Sequence, residues 1–211
     1  SPEWSEQWEK YADRAAKSIN ALTGFSEAVI AREIASNLPE GSTLFVSSSR
    51  PIRDLEGFGA PRSGVTTYAN RGLAGIDGNI STALGIASAS KQTFAVLGDL
   101  SFLHDLTGLI HREDIDCCFI VINNDGGGIF STLPQRGVDG FESVFGTPHG
   151  LDPAAIAGAM GISASTISSI DELKKVLKSP VKGISVVVAN VASRDENADS
   201  LKAIYESMNS I

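Results

Sequence analysis

The chain has 211 residues, 42% of them hydrophobic and 20% charged, enough for one substantial core, and its sequence holds no apolar run near the roughly 18 residues of a membrane-spanning helix. A net charge of −8 with no offsetting basic stripe disfavours nucleic acid. The opening "SPEWSEQWEKYADRAAKSIN" is not the basic-then-apolar order of a secretory signal, and the adjacent Cys117 and Cys118 sit in an apolar run as buried thiols, so a cytoplasmic protein is expected.

In chain order, Trp4, Trp8, Tyr11, Ala15 and Ile19 recur at helical spacing and predict a leading linker helix within residues 1–22. Its apolar side needs a partner in the main domain, 23–211, or in a preceding segment. The start at serine rather than methionine suits a piece of something longer. Ser26 caps a helix over "SEAVIAREIASNLPEG", stopped near Pro39 and Gly41, and "TLFVSS" is the strand that follows.

Pro51 in "SSSRPIRDLE" suits the first turn of a short helix. "GVTTYAN" then gives a strand ending at Asn70 and Arg71, and "GNISTALGIASAS" a helix of small residues able to lie close on a sheet. "TFAVLG" and "DCCFIVIN" are unbroken apolar runs, the mark of strands buried on both faces of a parallel sheet, with "SFLHDLTGLIHRE" as the crossover helix between them. Helices over "DPAAIAGAMG" and "SIDELKKVLKSP", a strand over "GISVVVANV" and a closing helix over "ENADSLKAIYESM" complete the pattern. The expected fold is α/β, a three-layer αβα doubly wound architecture on a mainly parallel sheet.

In such sheets ligands bind beyond the carboxyl ends of the strands, where Asp99 and Asn124 both fall. If the two strands are neighbours, the Asp99 carboxylate, the Asn124 amide oxygen and a backbone carbonyl of the adjoining loop form half of an octahedral Mg²⁺ shell, the rest going to water and phosphate. Gly126, Gly127 and Gly128 let the backbone approach the phosphates, and Ser101 adds a hydroxyl at the start of a helix whose positive end favours an anion. The plainer alternatives are a helix cap at Asp99 and Ser101 and a tight turn at the double asparagine.

The spacing of "GDLS" and "NNDGGGIFSTLP" resembles the signature of the thiamine-diphosphate enzymes, with Leu100 where many members have glycine. With "SSSRPIRDLE" and "YANRGLAGIDGNISTALG", residues 25 to 190 resemble the carboxyl-terminal part of one family among them, the menaquinone-pathway 2-succinyl-5-enolpyruvyl-6-hydroxy-3-cyclohexene-1-carboxylate synthases, in which Leu100 is a known variant. The resemblance implies thiamine diphosphate and Mg²⁺ (or Mn²⁺) as cofactors, with Asp99, Asn124 and the Gly126 carbonyl as metal ligands. It implies that Gly98 and Leu100 bind the cofactor, that Ser101 and the loop Asp125, Gly126, Gly127 and Gly128 meet the diphosphate, that Ile129 bends the cofactor from beneath and that Phe130 lines the pocket. Ser49, Arg53 and Arg71 match positions that meet substrate, and a guanidinium suits the carboxylates of 2-oxoglutarate and isochorismate.

The implied reaction decarboxylates 2-oxoglutarate and adds the resulting carbanion to isochorismate. The activating glutamate is expected on a separate pyrimidine-binding domain, so no catalytic side chain is assigned here, and a homodimer or homotetramer would complete the site. Two rivals share the metal pattern: a related decarboxylase or acetohydroxyacid-synthase-like domain, and a non-catalytic Mg²⁺–nucleotide module. The plain alternative for Arg53 is a solvated partner of Glu56. His104 and His111 read as surface or packing residues, His149 as part of a glycine-rich loop able to cover the site, and Met160 and Met208 as core.

Overall fold

The computed structural model describes residues 2–110 and 114–209. Six strands, β1 (Thr43–Val46), β2 (Thr66–Ala69), β3 (Thr93–Gly98), β4 (Cys117–Asn123), β5 (Ser163–Ile167) and β6 (Ile184–Asn190), form one sheet in the order β2-β1-β3-β4-β6-β5. Every neighbouring pair is parallel. Among the described residues the eight α-helices are α1 (Pro2–Ala21), α2 (Glu27–Asn37), α3 (Arg50–Phe58), α4 (Asn79–Ala87), α5 (Asp99–His104), α6 (Pro153–Ala159), α7 (Ile170–Lys178) and α8 (Arg194–Asn209).

The unbroken apolar runs follow from a sheet buried on both faces. Side chains alternate along a strand, so Phe94, Val96, Cys118, Ile120 and Ile122 point to a core shared with Ile30 and Ile34 of α2 and Leu173 and Leu177 of α7. Ala95, Leu97, Cys117, Phe119 and Val121 point to the opposite core with Ile80 and Leu84 of α4, Phe102 of α5 and Ala157 of α6. The three-layer doubly wound fold is therefore as expected, with a wholly parallel sheet. Both cysteines are buried free thiols, and burial raises Cys118 to about 11 and Cys117 further. They act as core residues.

Two local features differ from expectation. The crossover segment is α5 followed by a 3₁₀ turn, Leu106–Ile110, rather than one helix. Asp105 interrupts it: its carboxylate accepts the Ser81 N–H of α4 at 2.8 Å, and a Cβ at Gly108 would lie 2.8 Å from Ser81 Oγ. Close docking on α4 thus outweighs continued helix. His104, half-exposed, stands 3.5 Å from Asp77 at the surface, while His111 lies outside the described residues. The edge strand β5 was not foreseen, because "SASTI" has neither an apolar run nor a charge alternation and only Ile167 is buried.

On α1, Trp4, Trp8 and Tyr11 are 62%, 58% and 52% exposed, the two indoles stacking edge-on on each other at 5.8 Å. The end of the helix is held against the main domain. Ile19 packs near Phe58 and Ile204, and Arg32 donates to the carbonyls of Ile19, Asn20 and Leu22 at 2.8, 3.3 and 2.9 Å, satisfying the C-terminal acceptors. Met160 and Met208 pack at the margins of the cores.

The fold makes a quantitative prediction. Phe119, fully buried in the central strand, should cost about 3–5 kcal/mol when replaced by alanine, whereas Trp8→Ala should stay within about 0.5 kcal/mol. Urea unfolding at constant m-value measures both, and a Phe119→Ala loss under about 1 kcal/mol would contradict this packing.

Candidate functional site

The chain runs from β1 outward to β2 and then crosses to β3 on the other side, so the strand order reverses between β1 and β3. Such a switch point opens a crevice at the carboxyl ends. A cavity of about 360 Å³ lies there, walled by Ser48 and Ser49 after β1, Gly98 to Ser101 after β3, and Asn124 with Gly126 to Phe130 after β4.

β3 and β4 pair from Thr93↔Cys117 to Gly98↔Ile122, which brings Asp99 beside the loop that follows β4. Asp99 is 2% exposed. Its Oδ2 accepts the N–H groups of Asn124 (3.2 Å) and Gly126 (2.9 Å), and its Oδ1 accepts that of Leu100 (2.6 Å). His149 also reaches it: Nδ1 accepts the Leu151 N–H at 3.0 Å, and Nε2 stands 3.3 Å from Asp99 Oδ2. Asn124 is buried too, its Nδ2 donating to Glu27 Oε1 at 2.6 Å while its Oδ1 is buried without a partner. An orphaned amide oxygen beside a buried carboxylate is the donor set a hard cation takes, so the residues fit the Mg²⁺ implied by the resemblance.

Ser101 is buried and its hydroxyl is engaged, accepting from Asn79 Nδ2 at 3.0 Å and donating to the Ile76 carbonyl at 3.4 Å. Asp125 turns away from the cavity, its carboxylate accepting the N–H groups of His149 (3.0 Å) and Gly150 (2.8 Å). The glycines are required by packing as much as by any ligand. A Cβ at Gly126 or Gly127 would meet the carbonyl of Gly146 or Phe145 at 2.2 Å, and one at Gly128 the Asn124 amide at 2.4 Å. Ile129 and Phe130 line the cavity, with the Phe145 ring against Phe130 at 5.4 Å between centroids and tilted by 53°.

Of the three substrate candidates, Ser49 and Arg53 line the cavity. Ser49 holds φ 77° and ψ −131°, a backbone conformation rare for a residue with a side chain. Arg53 is exposed at the rim and donates to the Ser49 carbonyl at 2.7 Å; it makes no ion pair with Glu56 among the described residues. Arg71 is exposed on the loop after β2 and stands outside the cavity wall, three residues before the wall residue Ala74.

The cavity also contains charges that sequence spacing did not single out. Arg50 pairs with Asp54 and faces Glu27 Oε2 at 3.6 Å, all three being part of the wall. Glu27 and Asn124 are 97 positions apart, so no local pattern announces their contact. Burial raises the Glu27 carboxyl, against the Asn124 hydrogen bond and the Arg50 charge. Burial likewise pushes Asp54 up to about 7, opposed by Arg50.

A model of the thiamine pyrophosphate enzymes, that of their C-terminal TPP binding domain, matches residues 56–191. A 2-succinyl-5-enolpyruvyl-6-hydroxy-3-cyclohexene-1-carboxylate synthase of Thermobifida fusca is 45% identical over 160 residues, 72% of this chain and 29% of that protein. The synthase of the same name from Bacillus cytotoxicus is 38% identical over 212 residues, 96% of this chain and 36% of that protein. The chain thus spans about a third of the length of these relatives. Among solved structures, benzoylformate decarboxylase from Polynucleobacter necessarius superposes with a TM-score of 0.66 at 20% identity, over 78% of this chain and 33% of that one.

The buried cluster predicts a pH dependence. An Asp54 held at about 7 in the fold and near 3.8 when unfolded makes the folded state bind more protons between those values. Stability should therefore fall as pH rises from about 4 to about 7, at no more than about 1.4 kcal/mol per pH unit for this group. Asp54→Asn should flatten that decline in urea midpoints measured at pH 5, 6 and 7; an unchanged slope would assign it to other groups.

Proposed function

The chain belongs to the thiamine pyrophosphate enzymes, whose C-terminal TPP binding domain it carries, and we propose that it is the carboxyl-terminal part of a 2-succinyl-5-enolpyruvyl-6-hydroxy-3-cyclohexene-1-carboxylate synthase. One observation supports the site assignment: a buried carboxylate and a buried, unpartnered amide oxygen belong to residues at the ends of adjacent strands, beside a glycine loop. Asp99, Asn124 and the Gly126 carbonyl would hold Mg²⁺ or Mn²⁺ and through it the diphosphate. The similarity to the two named synthases over 72% and 96% of the chain supports the choice among reactions.

Thiamine diphosphate, when bound, supplies the electron sink that lets 2-oxoglutarate lose CO₂ and its remaining carbon unit join isochorismate. The chain's own residues bind and orient. The N–H groups of Gly126, Gly127 and Gly128 are held by Asp99 Oδ2 and the carbonyls of Gly146 and Gly126, so the glycine loop would admit the diphosphate through its lack of side chains, and Ile129 and Phe130 would form an apolar wall that keeps water from the reacting carbon. Ser49, presented by its strained backbone, and Arg53 at the rim meet substrate carboxylates, with Arg71 reaching the more distant one from outside the cavity. The glutamate that activates the aminopyrimidine belongs, in this reading, to a pyrimidine-binding domain supplied by a second subunit of a cytoplasmic homodimer or homotetramer.

Calorimetric titration of thiamine diphosphate and of ADP, each with Mg²⁺, tests the cofactor. Saturable binding of the first alone is expected, and it should be lost in Asp99→Asn, which keeps the shape of the side chain and removes its charge. Preference for ADP would favour a nucleotide module instead. In the full-length enzyme, Arg71→Ala should lower kcat/KM for 2-oxoglutarate at least about tenfold, or about 1.4 kcal/mol, with the affinity for thiamine diphosphate unchanged. Equal 2-oxoglutarate turnover by the variant would remove Arg71 from the substrate site.

A further inference from the structure

A primary amide can bind a cation only through its oxygen, and two orientations of the Asn124 side chain, a half-turn apart, fill the same space. One turns Oδ1 away from Glu27 and the other turns Nδ2 away from it, a donor group that binds no cation. Something must choose between them. Glu27 is the group in contact with the far end of that amide, at 2.6 Å, and it is buried.

We propose that Glu27 is a positioning residue for the metal site: by accepting the Asn124 Nδ2–H it fixes the amide with Oδ1 bare and directed at the cation position. The inference rests on the metal reading given above. Glu27 has the chemistry for the task, since a carboxylate ion-paired with Arg50 offers only acceptor oxygens and would repel Oδ1 if the amide turned over. Its own place is set by the fold. Glu27 is the first residue of α2, after the Ser26 cap, so the positive end of an eleven-residue helix favours its charge there. At the same Nδ2 end the Gly128 backbone closes on the amide, a Cβ at that position falling 2.4 Å from Nδ2. The Nδ2 end is thus held by an acceptor and crowded by a wall.

A purely structural role predicts something different. Even an ion-paired carboxylate is costly to bury, and an apolar residue of similar volume would serve packing at least as well. The orphaned Oδ1 is what the arrangement gains: the one side-chain atom of Asn124 without a partner is the one a cation needs.

Binding of Mn²⁺ in the presence of thiamine diphosphate, followed by the loss of the free-ion EPR signal, tests this with wild type, Glu27→Gln, Glu27→Ala, Asn124→Ala and the double variant Glu27→Ala/Asn124→Ala. Glu27→Ala should weaken Mn²⁺ binding by about 10- to 100-fold, as outer-shell partners of metal ligands do. Glu27→Gln, which keeps an acceptor oxygen, should recover most of that loss. In the Asn124→Ala background, removing Glu27 should cost nothing further, because the amide it orients is gone; a general destabilisation would weaken both backgrounds alike. Equal Mn²⁺ affinity in wild type and Glu27→Ala, or a full additional loss in the double variant, would overturn the inference. Asp99→Asn separates the two levels: if it too leaves Mn²⁺ binding intact the metal site itself is misassigned, whereas loss in Asp99→Asn with none in Glu27→Ala rejects only the positioning role.

Discussion

The carboxylate of Asp99 joins the ends of two strands into one surface. It sits at the first turn of α5, buried, and draws the N–H groups of Asn124 and Gly126 from the loop after β4 onto a single oxygen. Charge-assisted hydrogen bonds of this kind are roughly twice as strong as neutral ones, so the loop is held against β3 instead of fraying from the sheet edge. Everything else at the site is built on that junction. Asn124 is presented inward because its backbone is pinned there, and the glycines follow at the depth where a ligand would lie.

Legibility in the sequence followed the range of the interactions. Buried strands were plain because burial on both faces leaves no polar alternation, and Asp99 and Asn124 were plain because each ends such a run. β5 was hidden: an edge strand with one buried residue carries almost no signature. The break at Asp105 was hidden for another reason, since "SFLHDLTGLIHRE" has sound helical periodicity and the bond that interrupts it comes from Ser81, 24 positions away. Glu27 looked like an ordinary acidic residue in a first helical turn, which locally it is. Its partner across the cavity lies in another element, and only the folded chain brings the two together.

Arg50, Glu27 and Asp54 show what the site costs the fold. One guanidinium serves two carboxylates, and burial raises both of them. Replacing such a cluster by apolar side chains commonly leaves a protein as stable or more so, so packing alone gives no reason for it beneath the cavity floor. The strained Ser49, with φ of 77°, lines the same cavity, and the left-handed Asp125, with φ of 63°, stands between the wall residues Asn124 and Gly126. Unfavourable features gathered in one place, amid two well-packed cores, mark where shape is held for binding.

The glycine run shows how one sequence signal can answer two demands. Glycines before a helical turn suggest a cradle for phosphate, and the cavity wall does contain Gly126, Gly127 and Gly128. Yet the atoms nearest their missing side chains belong to the protein: the carbonyls of Phe145 and Gly146 and the amide of Asn124. The Gly127 N–H, moreover, donates to the Gly146 carbonyl at 2.8 Å. A Cβ at 126 or 127 would therefore push away the segment that leads to His149, and one at 128 would push the Asn124 amide out of line with Glu27. The absence of side chains here lets a second loop and the Asn124 amide close around the Asp99 carboxylate, so that the order of the cavity wall is set by the protein's own contacts.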